Sequence, residues 1–188
     1  MAILPKQSNI CKLPDIILAD AVIKYVTQFK YLGHMISVTY KDDDDIVKEI
    51  RNLHARGNTI IKQFKNVNED TKVQLFKTFC YPLYCASLWS KYKVSTMSRL
   101  RVSYTSILRR LLGLKIWNSD LESIERMTEL FAVHGIKSFP QLKKDLSSNC
   151  AKRIEECDNS LVKYLISADA MLVSKQWDHW NKLATVTV

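Results

Sequence analysis

Glycine and proline are scarce in this 188-residue chain, with four of each. A many-stranded sandwich or barrel needs turns at short intervals, so that class drops out and the fold leans helical. No apolar run approaches the ~18–20 residues that span a bilayer, so no membrane partner is expected. The start, Met1-Ala2-Ile3-Leu4-Pro5-Lys6, has no basic segment followed by an apolar stretch. No secretory signal is read there, and an intracellular location, nuclear or cytoplasmic, is expected. The five cysteines (Cys11, Cys80, Cys85, Cys150, Cys157) are odd in number and scattered, which reads as reduced packing thiols.

Catalytic motifs are missing as well. There is no Gly-rich phosphate loop, no GxSxG, no HExxH and no CxxC. His34, His54, His134 and His179 have no His or Cys neighbour at ligand spacing, so no zinc site is expected. Neither a catalytic residue nor a metal ligand is assigned. Acids are absent from one long stretch, between Asp70 and Asp120. That gap holds Lys72, Lys77, Lys91, Lys93, Arg99, Arg101, Arg109, Arg110 and Lys115. The whole chain carries 28 Lys plus Arg against 19 Asp plus Glu, net +9, and residues 68–116 supply +7 of it. Two readings stay open: a polyanion partner, nucleic acid first, or a solvated basic helix face.

What is present supports a packed chain, with 47% hydrophobic and 25% charged residues. Asp15–Leu18 and Ala21–Val26 are rich in β-branched residues and flank Ala19-Asp20, which suggests a short hairpin without a glycine turn. Phe29–Ile36 reads as a further strand. Strands without a partner sheet expose an apolar face, so this start reads as the end of a larger sheet. Self-association through its edge, or poor solubility, is expected.

From Asp42 the period changes. Asp42–Asp45 stands at a helix start, where acids offset the positive end of the dipole. Ile46, Ile50, Leu53, Gly57, Ile60 or Ile61, and Phe64 then recur at helical spacing, and Gly57 admits a close neighbour. Reading the aspartates as a metal cluster is disfavoured, because consecutive carboxylates on a helical turn point different ways. A second helix follows Asn66 or Asn68 and ends near Cys80-Tyr81, before Pro82. Tyr81, Tyr84, Leu88 and Trp89 read as core. Ser95 is expected to cap a third helix with Met97, Leu100, Tyr104, Ile107 or Leu108, and Leu111 on one side, ended by Gly113. A fourth helix spans Leu121–His134. A fifth starts at Ser138-Phe139-Pro140 with a stripe of Leu142, Leu146, Cys150 and Ile154. Leu161–Ile166 and Asp169–Ala184 complete the series. The fold class is mainly α: a short N-terminal β segment, a multi-helix bundle and a helical extension.

Phe29-Lys30-Tyr31-Leu32-Gly33-His34-Met35-Ile36-Ser37 resembles the primer-grip segment of reverse transcriptases from non-LTR (LINE-like) retrotransposons. The resemblance continues in order through Asp42–Asp45, Ile50–Asn58, Val73–Tyr84, Leu88-Trp89 and Leu100–Leu114. It implies a remnant of palm strands over 1–40, a thumb-like helical domain over 41–116 and a post-thumb helical region over 117–188. The family is an RNA-directed DNA polymerase whose paired catalytic aspartates lie upstream of this segment. Leu18-Ala19-Asp20-Ala21 has one aspartate and no second beside it, so the resemblance implies a portion without the two-metal site. The Mg²⁺ of the full-length family is then not a cofactor of this chain. A thumb contacts duplex phosphates, which calls for cations. Arg51, Arg56, Arg99, Arg101, Arg109 and Arg110 are the candidates, with Tyr31, Leu32 and Gly33 placing a primer end. Sheet packing is the alternative for Tyr31 and Leu32. The implied partner is the backbone of RNA, an RNA–DNA hybrid or DNA. The alternatives are a non-catalytic helical interaction protein, an inert retrotransposon relic, or one portion of an intact enzyme.

Overall fold

Two tight turns set the first elements. Ala19 and Asp20 both have positive φ (48° and 61°), and so do Leu32 and Gly33 (46° and 82°). Two-residue hairpin loops take this geometry because its twist matches that of the strands. Around the first turn β1 (Ile16–Leu18) pairs antiparallel with β2 (Ala21–Ile23). Around the second, β3 (Gln28–Tyr31) pairs with β4 (His34–Ser37), with Tyr31 opposite His34. The hairpin read at the chain start is therefore present. Phe29–Ile36, read as one strand, is instead a hairpin, because Leu32-Gly33 supplies two left-handed residues in succession. The two hairpins form separate two-stranded sheets. The computed structural model describes residues 14–39, 41–89, 91–114 and 121–167; the expected helix over 169–184 lies outside the described residues.

The remainder of the described chain is helical, as the periodicity predicts. α1 (Asp43–Gln63) begins with three acids in its first turn and ends with Lys62 in its last, both favourable to the helix dipole. α2 (Glu69–Cys80) is capped by Asn68, whose Oδ1 accepts the Thr71 amide at 2.9 Å. Of the two caps considered, Asn68 serves, and the helix stops two residues before Pro82. A 3₁₀ turn over Ala86–Leu88 leads to α3 (Val94–Leu111). The cap of α3 is Lys93, not Ser95, and has no side-chain capping bond. The Lys93 amide itself donates to Asp43 Oδ1 at 2.9 Å, so an aspartate from α1 satisfies the N-cap residue's own N–H. α4 (Leu121–Val133), α5 (Phe139–Glu155) and α6 (Ser160–Ser167) follow. Ser138 stands at the N-cap of α5, without a side-chain capping bond, and proline falls in the first turn, as read. Of the expected stripe, Leu142 is buried and Leu146, Cys150 and Ile154 are half-buried, and Phe139, Ser147 and Ala151 widen the buried face. Small side chains at 147 and 151 let that face lie close to its neighbours.

One apolar core joins these helices. Ile46, Leu53, Phe76, Leu100, Tyr104, Ile107 and Leu108 are fully buried. Met127, Ile136, Phe139 and Leu142 belong to the same cluster, so the helices after residue 117 share the core of those before it. Aromatic rings fill its centre, with Phe76 and Tyr104 centroids 5.1 Å apart and Tyr104 and Phe139 5.9 Å apart. Tyr104 donates its hydroxyl to the Lys137 carbonyl at 2.7 Å. Burial pushes that hydroxyl well above the usual tyrosine range, so it stays a neutral donor. Trp89 is buried as expected, but Tyr84 and Leu88 are about half exposed. No described helix is long and apolar enough to cross a membrane.

α1 and α3 meet at Gly57. A Cβ there would lie 2.4 Å from Ile107 Cγ2, inside the fully buried core. Gly57→Ala would gain about 1 kcal/mol of helix propensity but overpack the crossing by about 1–3 kcal/mol. Urea unfolding should show a net loss of stability. In an Ile107→Ala background the same change should become neutral or stabilising.

Candidate nucleic-acid interface

The four aspartates at the start of α1 each take a different task. Asp42 accepts the Lys91 amide at 2.6 Å, and its own amide donates to the Lys91 carbonyl at 3.0 Å. Asp43 accepts the Lys93 amide. Asp44 accepts from Gln28 Nε2 at 2.7 Å. Thus two acids pin the backbone of the basic segment that enters α3, and a third reaches β3.

Asp45 points inward and is fully buried. Its carboxylate accepts from His34 Nδ1 at 2.9 Å, the Met35 amide at 3.1 Å, Trp89 Nε1 at 2.9 Å and the Lys48 ammonium. Burial alone would raise its pKa, yet the bonds from Lys48, Trp89 and Met35 and the nearby His34 outweigh it, and the group is held below the usual carboxylate range. Four donors from β4, α1 and the chain before α3 therefore converge on one buried charge.

That hub sits behind the Leu32-Gly33 turn. Lys48 also donates to the Gly33 carbonyl, and the Tyr84 hydroxyl donates to the Leu32 carbonyl. A Cβ on Gly33 would lie 2.9 Å from Tyr84 Cε1, so glycine is needed for space as well as for its φ. Tyr31 and Leu32 are 57% and 76% exposed. Sheet packing does not occupy them among the described residues; the turn stands out from the bundle with its backbone latched behind it.

The six candidate arginines separate. Arg56 is half-buried, pairs with the buried carboxylate of Glu49 and donates to the Pro82 carbonyl at 3.1 Å. Its guanidinium compensates an internal charge, so it is not a free phosphate contact. Arg51 is exposed on the outer side of α1, one helical stripe with Lys62. Arg99, Arg101 and Arg110 are exposed and Arg109 is half-buried along α3, which contains no acid. None of these four has an ion-pair partner among the described residues. Eleven residues apart, Arg99 and Arg110 lie within about 20° of each other round the helix and ~16 Å apart along it. Arg101 falls on the opposite flank, about 160° away, and Arg109 lies between them on the outward side. The four fringe the whole exposed side of α3 rather than forming a single row.

His34, Asp45 and Cys85 bring a ring nitrogen, a carboxylate oxygen and a sulfur within 4.8 Å of one another, a grouping that spacing along the chain does not reveal. A cation there would sit against the Lys48 ammonium and displace the Trp89 and His34 bonds. Burial and the Asp45 charge also push the Cys85 thiol up to about 11, and burial pushes Cys80 to about 11. The donor set fits a hydrogen-bonded hub better than a metal centre, and both thiols stay protonated near neutral pH.

Sequence reasoning missed Lys48, Tyr84 and the hub. The i,i+3 spacing of Asp45 and Lys48 was a usable signal. Trp89, 44 residues from Asp45, offered none. In comparisons with known proteins, no family model, no curated protein and no solved structure matches this chain.

Asp45 supplies stability that is complete above the ordinary carboxylate value of ~3.9 and is lost as pH falls through its lower folded value. Urea midpoints should therefore drop on acidification below about pH 4, and less steeply in Asp45→Asn. Asp45→Ala should cost about 3 kcal/mol at neutral pH by stranding buried donors. Tyr84→Phe should speed amide hydrogen exchange at residues 31–34 while leaving the helical core protected.

Proposed function

We propose that this chain holds the backbone of a nucleic-acid duplex, in the manner of a reverse-transcriptase thumb, and has no catalysis of its own. The observation that carries the reading is α3: four arginines, no acid, and no ion-pair partner for any of them among the described residues. Phosphate contact needs cations with free donors, and Arg99, Arg101, Arg109 and Arg110 have them. Arg51 adds to that surface, while Arg56 stays with Glu49. The latched Leu32-Gly33 turn, with Tyr31 beside it, is the element suited to place a strand end. The partner is an RNA–DNA hybrid, RNA or DNA, inside the nucleus or cytoplasm, in a chain of LINE-like origin. A second reading, self-association through the hairpins, is favoured by the exposed apolar side chains of residues 16–32.

Hybrid binding should weaken linearly on a log–log salt plot, with a slope of about −0.9 per phosphate contacted. Changing Arg99, Arg101, Arg109 and Arg110 together to Gln should abolish it, and each single change should lower the slope by about one. Changing Lys152 and Arg153 on α5 should leave binding intact. No affinity at low salt, or affinity indifferent to salt, would overturn the reading.

A further inference from the structure

Two aromatic rings stand in water on the strand that leads into the Leu32-Gly33 turn. Phe29 and Tyr31 are 52% and 57% exposed. They sit two residues apart on β3, so both emerge on one face, about 6.7 Å apart along the strand. Their cross-strand partners Ile36 and His34 share that face. Neither ring packs against another described aromatic. The backbone beneath them is held from behind. His34 bonds Asp45, Gln28 bonds Asp44, and Lys48 and Tyr84 hold the two turn carbonyls. The rings are thus offered on a fixed support, and little ordering remains for binding to impose.

The surroundings are basic. No acid occurs between Asp20 and Asp42, a span that holds Lys24, Lys30 and Lys41. Beside β4 a cavity of about 170 Å³ is lined in part by His34, Ile36, Lys41 and Lys91. Asp42, the acid in that lining, accepts the Lys91 amide at 2.6 Å.

We infer that Phe29 and Tyr31 form a stacking platform for two successive unpaired bases of a nucleic-acid strand, whose phosphates run toward Lys41 and Lys91. Every base has a π face, so paired exposed aromatics on a strand take unstacked bases with little regard to sequence, while nearby cations hold the backbone. Charge selects this occupant. A second copy, itself basic over this span, would bring like charge to the surface, whereas a strand brings flat rings and negative charge together. The platform extends the strand-end role proposed for Tyr31, adds Phe29, and names a separate ligand. It does not use the arginines of α3.

The test compares binding of the full chain to a thymidine oligonucleotide and to an abasic strand of equal length. The two carry the same charge, so their affinity ratio reads the bases. The thymidine strand should bind at least about tenfold more tightly, and both should share a salt slope of about −0.7 per phosphate contacted. Phe29→Leu with Tyr31→Leu keeps apolar bulk but removes the rings, and should erase the preference without changing the slope. Phe29→Tyr with Tyr31→Phe should retain it. Equal affinity for the two strands in the unaltered chain, which requires no variant to fold, would overturn the inference. A preference that survives the double leucine change would do the same. So would strand binding that is lost as protein concentration rises, the mark of self-association covering the rings. The four α3 arginines changed to Gln should leave the ratio intact. Failure of the unaltered chain to bind a hybrid, with the ratio present, would count only against the duplex reading.

Discussion

A carboxylate taken out of water has to be compensated, and the placement of the hairpin on the helices follows from that requirement at Asp45. An unpaired charge at this depth would cost several kcal/mol or force protonation. The fold meets the demand with an imidazole and an amide from β4, an ammonium from the next turn of α1, and the indole N–H of Trp89. Because the donors come from separate segments, satisfying one charge also fixes their mutual positions. The Leu32-Gly33 turn inherits that order through Lys48, which bonds both Asp45 and the Gly33 carbonyl.

The same economy shapes the surface. Asp42 and Asp43 each accept one amide, from Lys91 and Lys93, and Glu49 is buried against Arg56. These acids neutralise internal donors instead of facing water. The exposed side of α3 carries arginine and no acid, as the acid-free stretch between Asp70 and Asp120 requires. The proposed polyanion contact grows from this absence, and the exposed apolar side chains of the hairpins form a second surface of different character.

Much of the helical architecture was legible from local signals. The spacing of Ile46, Ile50, Leu53, Gly57 and Ile60 marks the buried side of α1, Asn68 caps α2, Pro82 bounds it, and Gly113 and Gly135 follow α3 and α4 with positive φ. Errors arose where a distant partner replaced a local one. Lys93 rather than Ser95 stands at the N-cap of α3, where Asp43 of α1 holds its backbone amide. The face of α5 is wider than the Leu142–Ile154 stripe, since Phe139, Ser147 and Ala151 are buried too. Leu32 turns left-handed despite its Cβ because Gly33 follows it and Tyr84 and Lys48 hold the carbonyls on either side of the peptide. Of the candidate arginines, exposure at Arg51, Arg99, Arg101 and Arg110 agreed with their helical phase. Arg56 did not stay free, because Glu49 is buried two turns earlier on the same side of α1.

By itself the sequence determined where the helices run and which stretch lacks acids, since periodicity, caps and charge runs act over a few residues of backbone. Only the tertiary structure decided which aspartate is buried, which arginine is spent on an internal carboxylate, and how the Leu32-Gly33 turn is latched. Those outcomes depend on compensating a desolvated charge with donors up to 44 residues away, and such a partner leaves no mark in local spacing.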